Sequence, residues 1–473
     1  MRTDSTLLLD VGGQSCRALA VDAEGIIRFE CSRQAGTRED GWLVEQDAEE
    51  LADALEAAAA EVLSEMDRHS LPVTRAALAV QRGSIVCWNR GDGSALSPVI
   101  SWRDRRGLAG MESLAEQADE IRQRTGLRFS PYGGASKIAW CLEELDNVRQ
   151  ARQQGRLACG PLGSFLLARL LTEKPVQVDD TLAQRTLLWS RKHHDWDGWL
   201  LERFGIPPDV LPRVVPSLHN HGTLDQSGRS VPLKVLMGDQ NCIPFVDGAP
   251  DPDTLYINLG TGAFLLRPIR EPVDDERFQL TLLERNHACQ WALEASVHGA
   301  ASAIAWLEKR EGCRIEHECM NGLRDRVSQP PLFINSVDGL GSPWWCPGPE
   351  PSFKEQRDGH DTDARLLAVL ESIAFLIRAC VEAMNDSVGP PARLVLSGGL
   401  SRSDTLCELV ADLLDIDTCR LDTAEGTALG LWCRLHERAL PRRQLKPVAG
   451  QHSSDLAQRY RRWLALIEAE IEA

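Results

Sequence analysis

Two stretches of the chain share one pattern of apolar and glycine positions. Thr6-Leu-Leu-Leu-Asp-Val-Gly-Gly-Gln-Ser-Cys-Arg-Ala-Leu-Ala20 and Thr254-Leu-Tyr-Ile-Asn-Leu-Gly-Thr-Gly-Ala-Phe-Leu-Leu-Arg267 each place strand-length apolar runs on either side of a short glycine segment. That spacing predicts strand, tight turn and returning strand, with the glycines leaving backbone amides uncovered. Exposed amides in such a turn suit phosphate, and two distant copies suggest a duplicated architecture.

Between and beyond the copies, the pattern predicts further elements. Ala23-Glu-Gly25 is a turn, and Ile26 to Cys31 returns as a third strand. Asp47 with Glu50 forms a capping box before a helix that carries Leu51, Leu55, Ala58, Val62 and Met66 on one face. Ala76 to Val80 is a short apolar strand ending at Gln81-Arg82-Gly83-Ser84, and Val99-Ile-Ser-Trp-Arg-Asp-Arg-Arg106 again places polar residues at a strand's end. A helix is expected from about Met111 to Thr125, another capped by Ser136, and another over Trp196 to Phe204. Val235-Leu-Met-Gly-Asp-Gln240 reads as a strand ending on an acidic residue. Later come a helix over Glu294 to Glu308 and a long amphipathic helix from Asp363 to Met384. These lead to the strand Arg393 to Leu396, the turn Ser397-Gly-Gly-Leu400, a helix from Asp404 and a glycine-broken helix start at Glu425-Gly426. Strands and helices mixed in this way indicate an α/β fold.

At 473 residues the chain exceeds one ordinary core, so two domains are expected. The proline-interrupted Gly248-Ala-Pro-Asp-Pro252 marks the joint, giving domains 1–248 and 249–473. A net charge of −17 works against nucleic acid and anionic membrane as partners, and neither is expected, since both need a basic surface. The absence of a long apolar run or a leader-like N-terminus gives the expectation of a cytoplasmic protein with no membrane partner. The 14 cysteines include no Cys-x-x-Cys pair and are read as thiols, without disulfide or zinc.

Phosphate chemistry needs amide donors, a divalent cation and carboxylates that position it. Asp10, ending the first strand beside Gly12 and Gly13, either holds the cation's water shell or merely starts a turn. Asp239 is either a second carboxylate and a general base or an ordinary strand-terminal Asp. Gly260-Thr261-Gly262 offers amides and a hydroxyl to a distal phosphate, and Ser397-Gly398-Gly399 lets a ribose or base approach bare backbone.

Taken in order, the Asp-x-Gly hairpin, Gly238-Asp-Gln240, Leu259-Gly-Thr-Gly-Ala-Phe264 and the Gly-Gly turn before a helix resemble the FGGY family of carbohydrate kinases. Gly41-Trp-Leu-Val-Glu-Gln-Asp47, Trp102-Arg-Asp-Arg105, Lys137 with Trp140, Ala368-Val-Leu-Glu-Ser-Ile-Ala-Phe375 and Thr427-Ala-Leu-Gly430 extend the resemblance over nearly the whole chain, nearest the glycerol kinase branch. The resemblance implies two ribonuclease H-like (actin-like ATPase) domains with an interdomain cleft for ATP, Mg2+ and a small polyol or sugar, and a homodimer is among the partner expectations. By matching position, it makes Asp239 the base, with Asp10 and Asp239 on the metal side. Gly12, Gly13, Gln14, Ser15, Arg17, Thr261 and Gly262 face the phosphates, and Gly398, Gly399 and Ser403 line the adenosine site. Arg82, Trp102, Tyr132, Asp239, Gln240 and Phe264 form the substrate pocket. Alternatives are a pentulose kinase of the same family and a catalytically silent actin-like regulator.

The chain departs from the glycerol kinase pattern at specific positions. Gly13 and Gln14 replace threonines, Ala301 and Ala305 replace a glycine and a glutamine, and Ser403 replaces an asparagine. Gly83 replaces the glutamate after the arginine. That last exchange predicts extra room beside Arg82 and a substrate larger than glycerol or carrying a carboxylate or carbonyl, unless Asp104 supplies the missing charge.

Overall fold

The computed structural model describes residues 4–472 apart from 227, 287, 358 and 451–453. The chain forms two compact units. The first comprises Met1–Ala249, Thr281–Trp291 and Thr427–Leu440, and the second Pro250–Leu280, Ala292–Gly426 and Pro441–Ala473.

In the first unit a six-stranded sheet runs in the order Leu218–Gln226, Arg229–Gly238, Val73–Val80, Ser5–Val11, Ser15–Val21, Ile27–Gln34. Ser5–Val11 pairs antiparallel with Ser15–Val21, as the glycine turn requires, and parallel with Val73–Val80. Val73–Val80 pairs parallel with Arg229–Gly238 in turn. Three adjacent strands therefore point the same way, and Val11, Val80 and Gly238 stand level at their carboxyl ends. Neighbouring strands lie about 4.8 Å apart, so whatever follows these residues shares one edge of the sheet.

The helix Ala48–Arg68 buries Leu51, Leu55, Ala58, Val62 and Met66, and Asp47 caps it by accepting from the backbone N–H of Glu49 and Glu50. A five-stranded sheet in the order Thr37–Asp40, Leu43–Gln46, Val99–Ile100, Ile85–Asn89, Leu157–Pro161 completes the unit's main framework. Its own core of Ile85, Ile100, Ile138, Leu188 and neighbours lies on it.

The second glycine hairpin, Thr254–Leu259 with Ala263–Ile269, sits inside a seven-stranded sheet. Thr254–Leu259 pairs parallel with Arg393–Ser397, which pairs parallel with Asp417–Leu421. The arrangement of the first sheet is thus repeated, with a hairpin whose leading strand heads a set of three parallel ones. The helix Thr362–Val388, capped by Asp361 and carrying the long apolar face, packs in the core of the second unit with Leu255, Ile257, Leu394 and Leu396.

Four predicted elements differ in the structure. Cys289–Val297 is a strand, and the helix that follows it is Ala301–Glu311. Every residue from Trp291 to Val297 is buried, and a strand covered on both faces lacks the alternation that would separate it from a helix. The Met111–Thr125 helix is broken into Leu108–Glu112, a short 3-10 turn Ala115–Gln117, and Ala118–Thr125. Ser136 lies within the helix Gly134–Glu144 and does not cap it; the cap position is Gly133. The helix before Gly205 begins at Gly198 under an Asp197 cap, because Asp195–Trp196 is drawn into a pair with Trp189–Ser190.

Candidate active site

The shared edge of the three parallel strands gathers much of the predicted chemistry of the first unit. Asp10 lies on the first strand, one residue before the level of Val80, and Gly12, Gly13, Gln14 and Ser15 follow it. The turn closes by Gly12 N–H donating to Ser15 O at 3.0 Å, and Arg17 stands opposite Asp10 on the returning strand. The Gly13 carbonyl accepts from the Thr37 hydroxyl at 3.0 Å and from Gln46 Nε2 at 3.3 Å. Gln81 Nε2 in turn donates to Gln46 Oε1 at 2.9 Å. The Gly13 carbonyl fixes the direction of both amides, and Gln81 Oε1 is left as a buried acceptor with no partner among the described residues.

At the end of the third strand, Asp239 opens the one-turn helix Asp239–Cys242 with Gln240 beside it. Arg82 Nε lies 3.8 Å from Asp239 Oδ1, and Arg82 Nη1 donates to Asn241 Oδ1 at 3.3 Å. This closeness depends on Gly238, where a Cβ would lie 2.7 Å from both Arg82 Cγ and Asn241 Oδ1.

Trp102 and Tyr132 face one another with ring centroids 6.2 Å apart, and Arg105 Nη2 donates to the Tyr132 hydroxyl at 2.7 Å. The backbone of Tyr132 is held from beneath. Lys137, fully buried, donates to the carbonyls of Pro131, Tyr132 and Gly133 at 2.9, 3.1 and 3.0 Å. Burial pulls its ammonium down to about 7.

Two expectations about this pocket are corrected. Gly83 has φ +75°, and a Cβ there would stand 2.8 Å from Tyr132 O and 3.2 Å from Trp102 Cβ. The space is filled by the Tyr132 carbonyl and the Cβ of Trp102, so the exchange of glutamate for glycine opens no room on that side. Asp104 does not serve Arg82. It is fully buried and accepts from Val44 N–H at 2.7 Å and from Arg106 at 2.9 and 2.8 Å. The carboxylate beside Arg82 is that of Asp239.

Asn241, Asp179 and Thr181 are buried near these residues and carry no sequence signal beyond a polar trio Asp179-Asp180-Thr181. Burial pushes the Asp179 carboxyl up to about 7, against the opposing hydrogen bonds from Thr181 and Ser217.

In the second unit, Gly260 O and Thr261 O accept from Ala301 N–H and Ser302 N–H at 3.2 and 3.1 Å, so the second glycine turn abuts the start of the Ala301–Glu311 helix. Gly262 has no space for a side chain, since a Cβ would meet Val297 O at 2.6 Å. Phe264 is half-buried on the returning strand. Gly398, with φ +87°, packs its bare α-carbon against Asn258 and Leu259, while nothing lies within 4 Å of a Cβ on Gly399. Ser403 is fully buried, and its hydroxyl caps the helix Asp404–Leu414 by accepting from Leu406 N–H at 3.3 Å.

Residues 5–255 match the model of the N-terminal domain of the FGGY family of carbohydrate kinases, and residues 255–433 match the model of the family's C-terminal domain. A glycerol kinase from Trichlorobacter lovleyi is 34% identical over 440 residues, spanning 90% of this chain and 88% of its own length. One from Alcanivorax borkumensis is 31% identical over 437 residues, spanning 90% of this chain and 87% of its own. Among solved structures, Plasmodium falciparum glycerol kinase with ADP superposes with a TM-score of 0.87 over 99% of this chain and 98% of that one. At 21% identity this last likeness speaks to the fold.

Proposed function

The chain belongs to the FGGY family of carbohydrate kinases, and on that footing we propose that it transfers the terminal phosphoryl group of ATP to a hydroxyl of a small, glycerol-like polyol or sugar, with Asp239 as general base. The observation that carries this reading is Asp239 standing 3.8 Å from Arg82 at the carboxyl end of the Arg229–Gly238 strand, on the sheet edge that also bears Asp10 and the first glycine turn.

A carboxylate so placed accepts the proton of the attacking hydroxyl as its oxygen bonds to the γ-phosphorus and the bond to ADP breaks. Arg82 offers donors to the substrate's remaining hydroxyls, and Trp102, Tyr132, Gln240 and Phe264 are the other proposed substrate contacts. Gly12, Gly13, Gln14, Ser15 and Arg17 are proposed phosphate contacts in the first unit. In the second unit Thr261 and Gly262 take that role, and Gly398, Gly399 and Ser403 serve the nucleoside.

Asp10 and Asp239, on the same edge of the sheet, would offer carboxylate oxygens, which fits a hard cation such as Mg2+. A cation that keeps much of its water and arrives with the nucleotide needs only one or two such carboxylates. When bound, such a cation neutralises phosphate charge.

The test is ADP release over a panel of polyols, ketoses and aldonic acids, with wild type and Asp239→Asn side by side. Wild type is expected to turn over a small neutral polyol. The variant should lose on the order of 10²-fold or more in turnover while still binding ADP by calorimetry. Wild-type turnover in the variant would remove Asp239 from the role.

A further inference from the structure

The three-strand edge leaves one arrangement unexplained by substrate contact. Gly238, the last residue of its strand, is followed at once by Asp239 and supplies no side-chain cap to the one-turn helix that Asp239 opens. Its own N–H donates to the Thr181 hydroxyl at 2.9 Å. The Thr181 hydroxyl donates to Asp179 Oδ2 at 2.6 Å. Gly238 is buried, and Asp179 and Thr181 are fully so.

Counting protons fixes the direction of each bond. A hydroxyl has one hydrogen and two lone pairs, and a backbone N–H only donates. The single Thr181 hydrogen is therefore committed to Asp179, and its lone pair is turned to the Gly238 N–H. Asp179 is itself held by Thr181 N–H at 3.0 Å, Leu182 N–H at 3.2 Å and the Ser217 hydroxyl at 2.8 Å. The opposite side of the glycine is closed too, because Arg82 Cγ and Asn241 Oδ1 both lie 2.7 Å from where its Cβ would be. The Met237–Gly238 peptide, one residue before Asp239, is thus held by the Thr181 hydroxyl, while the arginine that pairs with Asp239 closes over the Gly238 α-carbon.

We propose that Thr181, oriented by Asp179, is a positioning residue that sets the placement of Asp239 for proton transfer, an inference that rests on Asp239 being the base. A displacement of about 1 Å in a reacting group costs on the order of 10²-fold in rate, so one hydrogen bond to the N–H of the residue before Asp239 has leverage far beyond its contribution to folding.

Thr181→Val removes the hydroxyl and keeps the shape. It also leaves Asp179 capping its helix, since those bonds come from the backbone N–H of Thr181 and Leu182. The expected result is a fall of about 10- to 100-fold in kcat, with KM for ATP within about twofold of wild type. Thr181→Ser, which keeps the hydroxyl, should restore kcat to within a few-fold. In an Asp239→Asn background, Thr181→Val should add no further loss. Melting temperatures of all variants are recorded beside the kinetics. A loss that serine does not restore in a folded variant, or a loss expressed in KM alone, overturns the positioning role. Wild-type turnover in Thr181→Val with an inactive Asp239→Asn also overturns it and leaves the base assignment standing. Wild-type turnover in Asp239→Asn overturns both.

Discussion

Two glycines near the site carry opposite constraints. Gly83 sits at φ +75° with the Tyr132 carbonyl 2.8 Å from its missing Cβ, so both its conformation and its neighbours demand glycine. Gly13 lies outside the left-handed region, and a Cβ there would meet only Gln81 Oε1, at an ordinary 3.5 Å. That oxygen is a buried acceptor without a partner among the described residues, so a hydroxyl at residue 13 would supply a donor. Gly13→Ser is therefore expected to stabilise the protein by about 0.5–1.5 kcal/mol. Gly83→Ala should destabilise by about 1–3 kcal/mol and shift the Tyr132 loop that Lys137 holds. Urea unfolding of the two variants beside wild type decides the matter, and equal effects would refute the contrast. Asp10, Arg82 and Asp239 were legible as candidates because each ends an apolar run. The Thr181 contact was not, since it joins residues 57 positions apart and a lone threonine carries no periodic signal.

At the scale of elements, the strands and helices with one buried face were readable from their periods, and Ala48–Arg68 and Thr362–Val388 are the clearest cases. Cys289–Val297 was not, because burial on both faces erases the period. The segment Thr281–Trp291, which clusters with the first unit, was equally silent, since its attachment uses single side chains at long range. Leu282 N–H donates to Gln184 Oε1 at 2.9 Å, and Leu282 O accepts from Asn241 Nδ2 at 2.6 Å. Arg285 pairs with Asp180 at 2.9 Å, and Glu284 is bonded to Arg434 with both side chains buried. Asn241 thus ties this segment to the same Arg82 that pairs with Asp239. A buried ion pair costs more when one member is removed than when both are. Glu284→Leu should destabilise by about 3–5 kcal/mol by leaving the buried Arg434 charge with only the exposed Glu437, 3.6 Å away, and adding Arg434→Met should recover most of that loss. Denaturation of the single and double variants tests this; a double variant no more stable than the single one would show that the pair, rather than the stranded charge, is what matters.

The duplicated hairpins made the repeat of one sheet arrangement in the two units legible, because each leads a set of three parallel strands. Response to acid is also a property of the whole chain, and here opposing contributions meet. With 69 acidic and 52 basic residues, the net charge of −17 shrinks as pH falls, which relaxes self-repulsion. Burial raises Asp179 to about 7 and Asp180 to about 6, so the folded state holds their protons more tightly, and their burial is penalised as pH rises through that range. His221 has the opposite sign. Burial lowers it to about 4, against a hydrogen bond to the Ser217 carbonyl at 3.1 Å that commits Nε2 as the donor. Its Nδ1 is buried without a partner among the described residues, and a second proton there would find no acceptor among them. A folded value below the unfolded 6.5 means that the unfolded chain binds the proton first. The stability this histidine contributes is full above about 6.5 and is lost as pH falls toward 4. Between pH 7 and pH 5 the loss is about 2 kcal/mol by linkage. In wild type the carboxyl groups and the falling net charge oppose it, so the isolated term shows only by difference. His221→Asn removes the titration, and its stability relative to wild type should rise by about 2 kcal/mol on going from pH 7 to pH 5. Unfolding free energies of both proteins at the two pH values measure that difference, and parallel changes would show that His221 takes up its proton in the folded state as readily as in the unfolded one.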